Sequence, residues 1–332
     1  MARIEHQSEI VAAFSRIAAA RGRDPLLISS TRQASFSDVE NLSQALAERI
    51  ARSGIKAATL VALSAPNGPA FIAGILALRR SGHAALLLDS SAPIVDRERS
   101  ATSVKAGANV SCASGWPRSA DDFEVAALEE SDRTSAVFDD VAVVKLTSGS
   151  TGTPRGVAMR EEQLLSDESA LARTMGFHSK DRLLCTLPLS HSYGFTTFTL
   201  SAIVRGLTLI LPADQSPFSP LFAASELNAT IFPTVPAYLQ ALLKMSQPPP
   251  WPETIRLVIS AGAVLPAHIA TRFREMFGQP VHVFYGSSEC GGICYDRAGD
   301  AAERGTVGTP VDGVRVSLTA IAWFGEGKPT AV

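Results

Sequence analysis

Two periodicities alternate along the chain. Apolar runs of strand length, such as residues 26–29 (LLIS), 59–64 (TLVALS) and 84–89 (AALLLD), are followed by segments whose apolar residues recur every three or four positions. This alternation predicts βαβ units, and such crossovers are right-handed and favour parallel strands. We therefore expect an α/β fold, with layered α/β/α subdomains built on two mainly parallel sheets.

The predicted helix that follows LLIS shows how its ends are encoded. We expect it to begin near Ser37, because Ser37 and Glu40 have the spacing of a capping box, and to end at Gly54. Its apolar face is formed by Val39, Leu42, Leu46 and Ile50. Burial of that face against a sheet follows.

Similar units recur after residue 160, and the pattern changes near the end of the chain. From residue 305 the segment GTVGTPVDGVRVSLTAI contains turns and short strands without a helical period. We predict one domain of two α/β subdomains over residues 1–304, followed by the beginning of a truncated β-subdomain over residues 305–332.

Composition narrows the class of partner. The 332 residues are 46% apolar and 19% charged, with a formal net charge of −2 and no stripe of Lys and Arg, so the chain lacks the charge of a nucleic-acid binder. Glu5 and Glu9 do not fit a secretion signal, and Arg205 interrupts the longest apolar stretch. We expect a soluble, cytoplasmic protein with no membrane span that binds small molecules.

The cysteines do not indicate a zinc site. Cys112, Cys185, Cys290 and Cys294 lack the two closely spaced pairs that tetrahedral zinc ligation requires. Reduced, buried cysteines are the expected alternative.

One segment is rich in hydroxyl-bearing residues and glycine. In residues 141–159 (VAVVKLTSGSTGTPRGVAM) an apolar strand runs directly into Thr147, Ser148, Gly149, Ser150, Thr151 and Gly152. Glycines let successive N–H groups converge on a phosphate, the hydroxyls add donors, and Arg155 adds positive charge. The segment is not a P-loop, which needs Gly-Lys-Ser/Thr at the start of a helix. A flexible Gly/Ser linker is the alternative, but it would not begin directly at a buried strand.

This loop resembles the signature loop of the adenylate-forming superfamily, which includes acyl-CoA synthetases, peptide-synthetase adenylation domains and firefly-type luciferases. The family more often has Lys where this chain has Arg155. Further segments resemble the family in the same order, namely residues 187–195 (LPLSHSYGF), 258–266 (VISAGAVLP), 283–292 (VFYGSSECGG) and 305–316 (GTVGTPVDGVRV). The resemblance covers nearly the whole chain.

The resemblance implies a reaction and a set of roles. A carboxylic acid and ATP would form acyl-AMP with Mg²⁺, and coenzyme A would be the co-substrate. His191 would act on the carboxylate, and Arg155 would contact phosphate. The nucleotide would be held by the residues of the hydroxyl loop together with Gly262, Ala263, Tyr285, Gly286 and Ser288.

By the same resemblance, Glu289 and the Thr147 hydroxyl would be the protein ligands of Mg²⁺, which prefers hard oxygen donors. The acyl pocket would be lined by Tyr193, Phe195, Val235, Ala261 and Gly291. An apolar lining of this kind favours fatty or aromatic acids over polar amino acids. Val235 is equally suited to ordinary core packing.

The chain departs from the family near its end. Relatives continue with a ribose-binding aspartate, a hinge and a mobile C-terminal domain with a catalytic lysine, and residues 321–332 (IAWFGEGKPTAV) resemble none of these. We therefore expect a truncated ligase, or a subunit completed by a separate C-terminal domain in trans. The alternatives are an adenylation domain that serves the pantetheine of a carrier protein and a non-catalytic binder of acyl groups or nucleotide.

Overall fold

The computed structural model describes residues 8–128, 138–147, 155–214 and 216–317. Its helices are α1 (Glu9–Arg21), α2 (Phe36–Arg52), α3 (Pro69–Arg80), α4 (Ile94–Ser103), α5 (Glu161–Met175), α6 (Ser192–Gly194), α7 (Ser201–Arg205), α8 (Ser219–Leu227), α9 (Pro236–Leu243) and α10 (Ala267–Phe277). A 3₁₀ turn covers Ala120–Asp122, and a π-helical segment, Phe195–Leu200, joins α6 to α7. None of the described helices is both long and apolar enough to cross a membrane.

The described strands are β1 (Pro25–Ile28), β2 (Gln33–Ser35), β3 (Leu60–Ser64), β4 (Ala84–Leu88), β5 (Ala108–Cys112), β6 (Phe123–Ala127), β7 (Val143–Thr147), β8 (Arg155–Met159), β9 (Arg182–Leu184), β10 (Thr208–Ile210), β11 (Ile231–Thr234), β12 (Leu257–Ser260), β13 (Val281–Ser287), β14 (Gly291–Tyr295) and β15 (Thr309–Pro310). They form a six-stranded sheet in the order β6-β5-β3-β4-β7-β8 and a nine-stranded sheet in the order β15-β14-β13-β12-β11-β9-β10-β1-β2. The inner strands of both sheets are parallel, and antiparallel pairs occur at the edges.

Both sheets are covered on both faces, which explains why their strands are apolar without alternation. On β3, Leu63 belongs to the largest core cluster and Ala62 to a smaller cluster on the opposite face. On β9, Leu183 belongs to the largest cluster and Leu184 to a third cluster with α8, α9 and α10. The largest cluster therefore fills the space between the sheets, where α1, α2, α3 and α5 contribute side chains to it.

Ionic contacts join the helices of this central layer. The carboxylate of Glu161, at the start of α5, accepts from the Ile10 N–H at 2.7 Å and forms an ion pair with Arg79 of α3 at 3.0 Å. Glu40 of α2 pairs with Arg80 at 2.5 Å and accepts from the Ser15 hydroxyl at 2.9 Å. Because these carboxylates are largely buried, removing one partner would leave an uncompensated charge.

The predicted α/β architecture is confirmed, and the structure corrects two local predictions. The capping box of α2 is formed by Ser35 and Asp38, not by Ser37 and Glu40, because the chain leaves β2 at Ser35 in the extended conformation that an N-cap requires. Glu40 is instead engaged by Arg80. All four cysteines are free, but Cys290 is exposed because it lies in the turn between β13 and β14.

The C-terminal segment contributes β15, which pairs with β14 at the edge of the nine-stranded sheet through Cys294↔Pro310 and Tyr295↔Thr309. The described chain up to residue 317 contains no helix after α10. The division of the chain at residue 305 stays a prediction.

Candidate functional site

A cleft of about 520 Å³, part of it open to solvent, lies where β7, β12 and β13 end. Parallel strands place their carboxyl ends at one edge of a sheet, where α/β proteins bind ligands. The cleft is lined by Lys145, Asp167, Leu171, His191, Ser192, Tyr193, Thr196, Ala261, Gly262, Phe284, Gly286, Ser287, Ser288, Gly291 and Gly292.

The β13–β14 hairpin forms one wall of the cleft. Phe284 points inward and packs on Tyr193 with ring centroids 5.6 Å apart, whereas the ring of Tyr285 is 47% exposed. The turn between the strands places Ser288 in the lining and leaves Glu289 exposed. Phe284 and Tyr285 thus lie on opposite faces of β13, and the face that carries Tyr285 becomes exposed only beyond the buried Val283.

His191 caps the short helix α6 and lines the cleft. Its Nδ1 accepts a hydrogen bond from the Tyr193 N–H at 3.3 Å. Burial lowers the pKa of His191, the Asp89 carboxylate opposes this shift, and the Lys145 ammonium adds to it. The imidazole is therefore neutral near pH 7, and with Nδ1 accepting, its proton is on Nε2.

A lysine and an aspartate lie inside the same cleft. Lys145 is 2% exposed, and its Nζ donates to the Thr196 hydroxyl at 3.3 Å. Asp167, on α5, accepts from the Gly292 N–H at 2.9 Å. Burial lowers the pKa of Lys145 and raises the pKa of Asp167, and in each case the charge of the other residue opposes the shift.

The remaining buried polar group of the lining is the Tyr193 hydroxyl. It has no hydrogen-bond partner within the described residues, and burial raises the pKa of the phenol. A buried hydroxyl without a partner is costly, so this position favours a ligand or a water molecule as the missing partner.

Some of the predicted site residues line this cleft and others do not. Those in the lining are His191, Gly262, Gly286 and Ser288, with Tyr193, Ala261 and Gly291 of the predicted acyl pocket. Those outside the lining are Thr147 and Arg155, which face each other at the end of the β7–β8 pair, and the exposed Ala263, Tyr285 and Glu289. Ser148, Gly149, Ser150, Thr151 and Gly152 lie outside the described residues.

Two predicted acyl-pocket residues are not in the lining. Phe195 is fully buried in the main core, where its ring centroid is 5.9 Å from the Lys145 Nζ. Val235 precedes α9, and its Cγ1 lies 3.7 Å from where a β-carbon on Gly262 would be. Val235 therefore lies behind the wall that Gly262 forms.

The residues that sequence reasoning did not identify are mainly Lys145, Asp167, Thr196 and Phe284. Lys145 has a visible signal, since it is a charged residue within an otherwise apolar strand (VAVVKLT) that the structure buries. Asp167 has none, because an acid on an amphipathic helix is normally solvated. Its position in the cleft depends on how α5 packs against β14.

Comparisons with known proteins agree on one family. A model of the family described as AMP-binding enzyme matches residues 14–322. The 4-hydroxybenzoate–CoA/benzoate–CoA ligase of Rhodopseudomonas palustris is 30% identical over 184 residues, which are 54% of this chain and 34% of that protein. The feruloyl-CoA synthase of an Amycolatopsis species is 26% identical over 291 residues, 80% of this chain and 57% of the relative. The chain thus spans between a third and about half of these relatives.

Solved structures share the fold. The inhibitor-bound N-terminal domain of FACL13 from Mycobacterium tuberculosis superposes with a TM-score of 0.76 at 21% identity, covering 91% of this chain and 82% of that one. The O-succinylbenzoate coenzyme A synthetase (MenE) of Bacillus subtilis, in complex with AMP, gives 0.74 at 22% identity, covering 90% of this chain and 80% of the other. At these identities the likeness establishes the fold.

Proposed function

This chain belongs to the AMP-binding enzyme family, and on that premise we propose that it activates a carboxylic acid with ATP to give acyl-AMP and pyrophosphate. The observation that carries the proposal is convergence: His191, Gly262 and Ser288 come from three separate motif segments and line a single cleft. Coenzyme A is the proposed acceptor of the acyl group, and the pantetheine of a carrier protein is the alternative.

The proposed reaction is an in-line displacement at phosphorus. A carboxylate oxygen attacks the α-phosphorus, the new O–P bond forms as the bond to the β-phosphate oxygen breaks, and pyrophosphate leaves with the electron pair. Positioning and neutralisation of charge supply the catalysis. The Nε2–H of neutral His191 and the hydroxyl of Ser288 are the donors that the cleft offers to the developing negative charge.

The outer face of the hairpin fits a nucleotide. Tyr285 offers a largely exposed ring, and aromatic rings stack on bases with a gain of about 1–3 kcal/mol. Gly262 has φ +83° and no side chain, which lets a flat ring approach the backbone closely. We assign Tyr285, Gly262, Ala263 and Gly286 to the adenine side of the proposed site.

Two of the predicted residues also carry donors that suit Mg²⁺. The exposed Glu289 carboxylate and the Thr147 hydroxyl at the end of β7 are hard oxygen donors, and Mg²⁺ commonly uses one or two protein ligands together with water and phosphate oxygens. When bound, the ion would neutralise charge on the phosphates. We assign Arg155, which pairs in register with Thr147 on β8, to contact with the same phosphates.

A test of the proposal is carboxylate-dependent exchange between ATP and pyrophosphate, combined with calorimetry of ATP and AMP binding. We expect nucleotide binding and exchange with at least one class of fatty or aromatic acid. Absence of exchange with any acid together with absence of nucleotide binding would exclude both a ligase and a non-catalytic nucleotide binder. Nucleotide binding without exchange would support the non-catalytic alternative. The exchange assay would then be repeated with a separate C-terminal domain added in trans.

The metal assignment makes a separate prediction. Glu289→Ala should abolish the Mg²⁺ dependence of ATP binding, because it removes the only carboxylate assigned to the ion. Calorimetry with and without Mg²⁺ measures this effect. Glu275→Ala, an exposed acid on α10, is the matched control and should keep the metal dependence. An unchanged affinity and metal dependence in Glu289→Ala would refute the assignment.

A further inference from the structure

The inner part of the cleft contains a lysine that uses one of its three donors among the residues that the structure describes. Lys145 is 2% exposed, and within the described residues its ammonium makes one hydrogen bond, to Thr196. An ammonium has three donors, and leaving them unused in a buried position is costly. Because Lys145 lines the cleft, its remaining N–H groups can donate to a ligand that binds there.

A carboxylate faces the same space from α5. One oxygen of Asp167 accepts from Gly292, and a carboxylate has further acceptor sites on both oxygens. Lys145 and Asp167 both line the cleft, and neither a hydrogen bond nor an ion pair joins them. Two oppositely charged side chains thus line one cleft without contacting each other.

The pair lies on the acyl side of the proposed site. Asp167 bonds to Gly292, next to Gly291 of the predicted acyl pocket, and Thr196 lies one turn beyond Tyr193. The buried Tyr193 hydroxyl, without a partner in the described part of the chain, adds a third polar group to this region. The far end of an acyl group would therefore contact polar atoms, although the sequence predicts an apolar lining for the acyl pocket.

Resting on the proposed function, we propose that this inner region selects a carboxylic acid whose far end carries a hydroxyl group, either an alcohol or a phenol. A hydroxyl accepts from Lys145 and donates to Asp167, so it satisfies both residues at once. A methyl group would satisfy neither, a second carboxylate would face Asp167, and an ammonium would face Lys145. Lys145 and Asp167 are thus specificity-determining residues.

The experiment compares stable sulfamoyl analogues of acyl-AMP that differ only at the far end of the acyl group. The matched aromatic set is 4-hydroxybenzoyl, 4-methylbenzoyl and 4-carboxybenzoyl, and the matched aliphatic pair is 6-hydroxyhexanoyl and heptanoyl. Calorimetry with the wild-type chain should show that each hydroxylated analogue binds about tenfold or more tightly than its methyl counterpart and the dicarboxylate. This comparison needs no variant and so does not depend on a variant's folding.

Variants then assign the preference to the pair. Lys145→Met keeps the volume of the side chain and removes the donors, so we expect the ratio of hydroxyl to methyl affinities to fall to about one. Lys244→Met, an exposed lysine after α9, is the matched control and should keep the wild-type ratio. Equal binding of hydroxyl and methyl analogues to the wild-type chain, or tighter binding of the dicarboxylate, would overturn this inference alone. Binding of none of the analogues, with no AMP binding, would overturn the proposed function with it.

Discussion

Consecutive residues on β13 meet two different environments. Phe284 is 8% exposed and packs on Tyr193 in the inner part of the cleft, whereas Tyr285 is 47% exposed on the outer face of the hairpin. The inner part of the cleft combines packed rings with buried or half-buried polar groups, namely Lys145, Asp167 and Tyr193. On the outer side, the Tyr285 ring and the Glu289 carboxylate are exposed. Alternation puts Phe284 and Tyr285 on opposite faces of β13, and Tyr285 is exposed because it lies beyond Val281 and Val283, which are buried on its own face.

The largest expected effect separates these two faces. Phe284→Ala should lower the free energy of unfolding by about 3–5 kcal/mol, because it removes a buried ring and leaves a cavity. Tyr285→Ala should change stability by no more than about 0.5 kcal/mol. Urea unfolding of the two variants measures the difference.

Affinity for nucleotide, unlike stability, should depend on Tyr285. Tyr285→Ala should weaken AMP binding about tenfold or more, which calorimetry measures, because the ring that stacks on the base is lost. Similar losses of stability in both variants would mean that the Tyr285 ring is packed in the core. The proposed contrast between Phe284 and Tyr285 would then be wrong.

A smaller effect is expected where the hairpin meets α5. A β-carbon at Gly291, where φ is +72°, would lie 2.5 Å from the Asp167 carboxyl carbon. Gly291→Ala should therefore lower the free energy of unfolding by about 2–4 kcal/mol. The causes are the left-handed backbone and the loss of the hydrogen bond that Asp167 accepts from the Gly292 N–H. Gly305→Ala is the matched control, because Gly305 has φ +66° and a β-carbon there would meet no atom within 4 Å, so it should cost only about 1 kcal/mol. Urea unfolding measures both losses of stability. Equal losses in the two variants would show that Asp167 can move away from the new β-carbon without a measurable cost.

The smallest expected effect is a change in how stability depends on pH. Burial raises the folded-state pKa of Asp167, while the Gly292 N–H and Lys145 oppose the shift. The folded chain then binds this proton more readily than the unfolded chain does. The resulting stabilisation is complete below the unfolded pKa of about 3.9 and is lost as the pH rises through the folded pKa.

Relative to Asp167→Asn, the wild-type chain should therefore gain stability as the pH falls from 7 toward 4. Unfolding curves across that range measure the difference between the two proteins. Ser288→Ala, which removes no carboxylate, should follow the wild-type curve. A difference between wild type and Asp167→Asn that stays constant with pH would show that the Asp167 carboxyl is not held in a desolvated environment.

Features that depend on neighbouring residues can be predicted from the order of the amino acids. The apolar runs predict the βα alternation, and Pro69 and Gly54 mark where α3 begins and α2 has ended, because these signals depend on residues a few positions apart. The motif segments likewise predict which stretches of chain form the cleft, since Ser288, His191 and Gly262 all line it. Even local signals can compete, as at α2, where the position of β2 selects Ser35 over Ser37 as the cap.

Which of these residues face the cleft, and which charges accompany them, depends on how distant segments of the chain pack. Lys145, Asp167 and Gly292 are separated in the chain, and they share one cleft because α5 packs against β14 and β7 ends at the same cleft. Phe284 and Tyr285 differ little in sequence terms, and their opposite exposure follows from which face of β13 meets Tyr193. Burial, and with it the pKa shifts of Lys145 and Asp167, is a property of neighbours that no sequence spacing specifies.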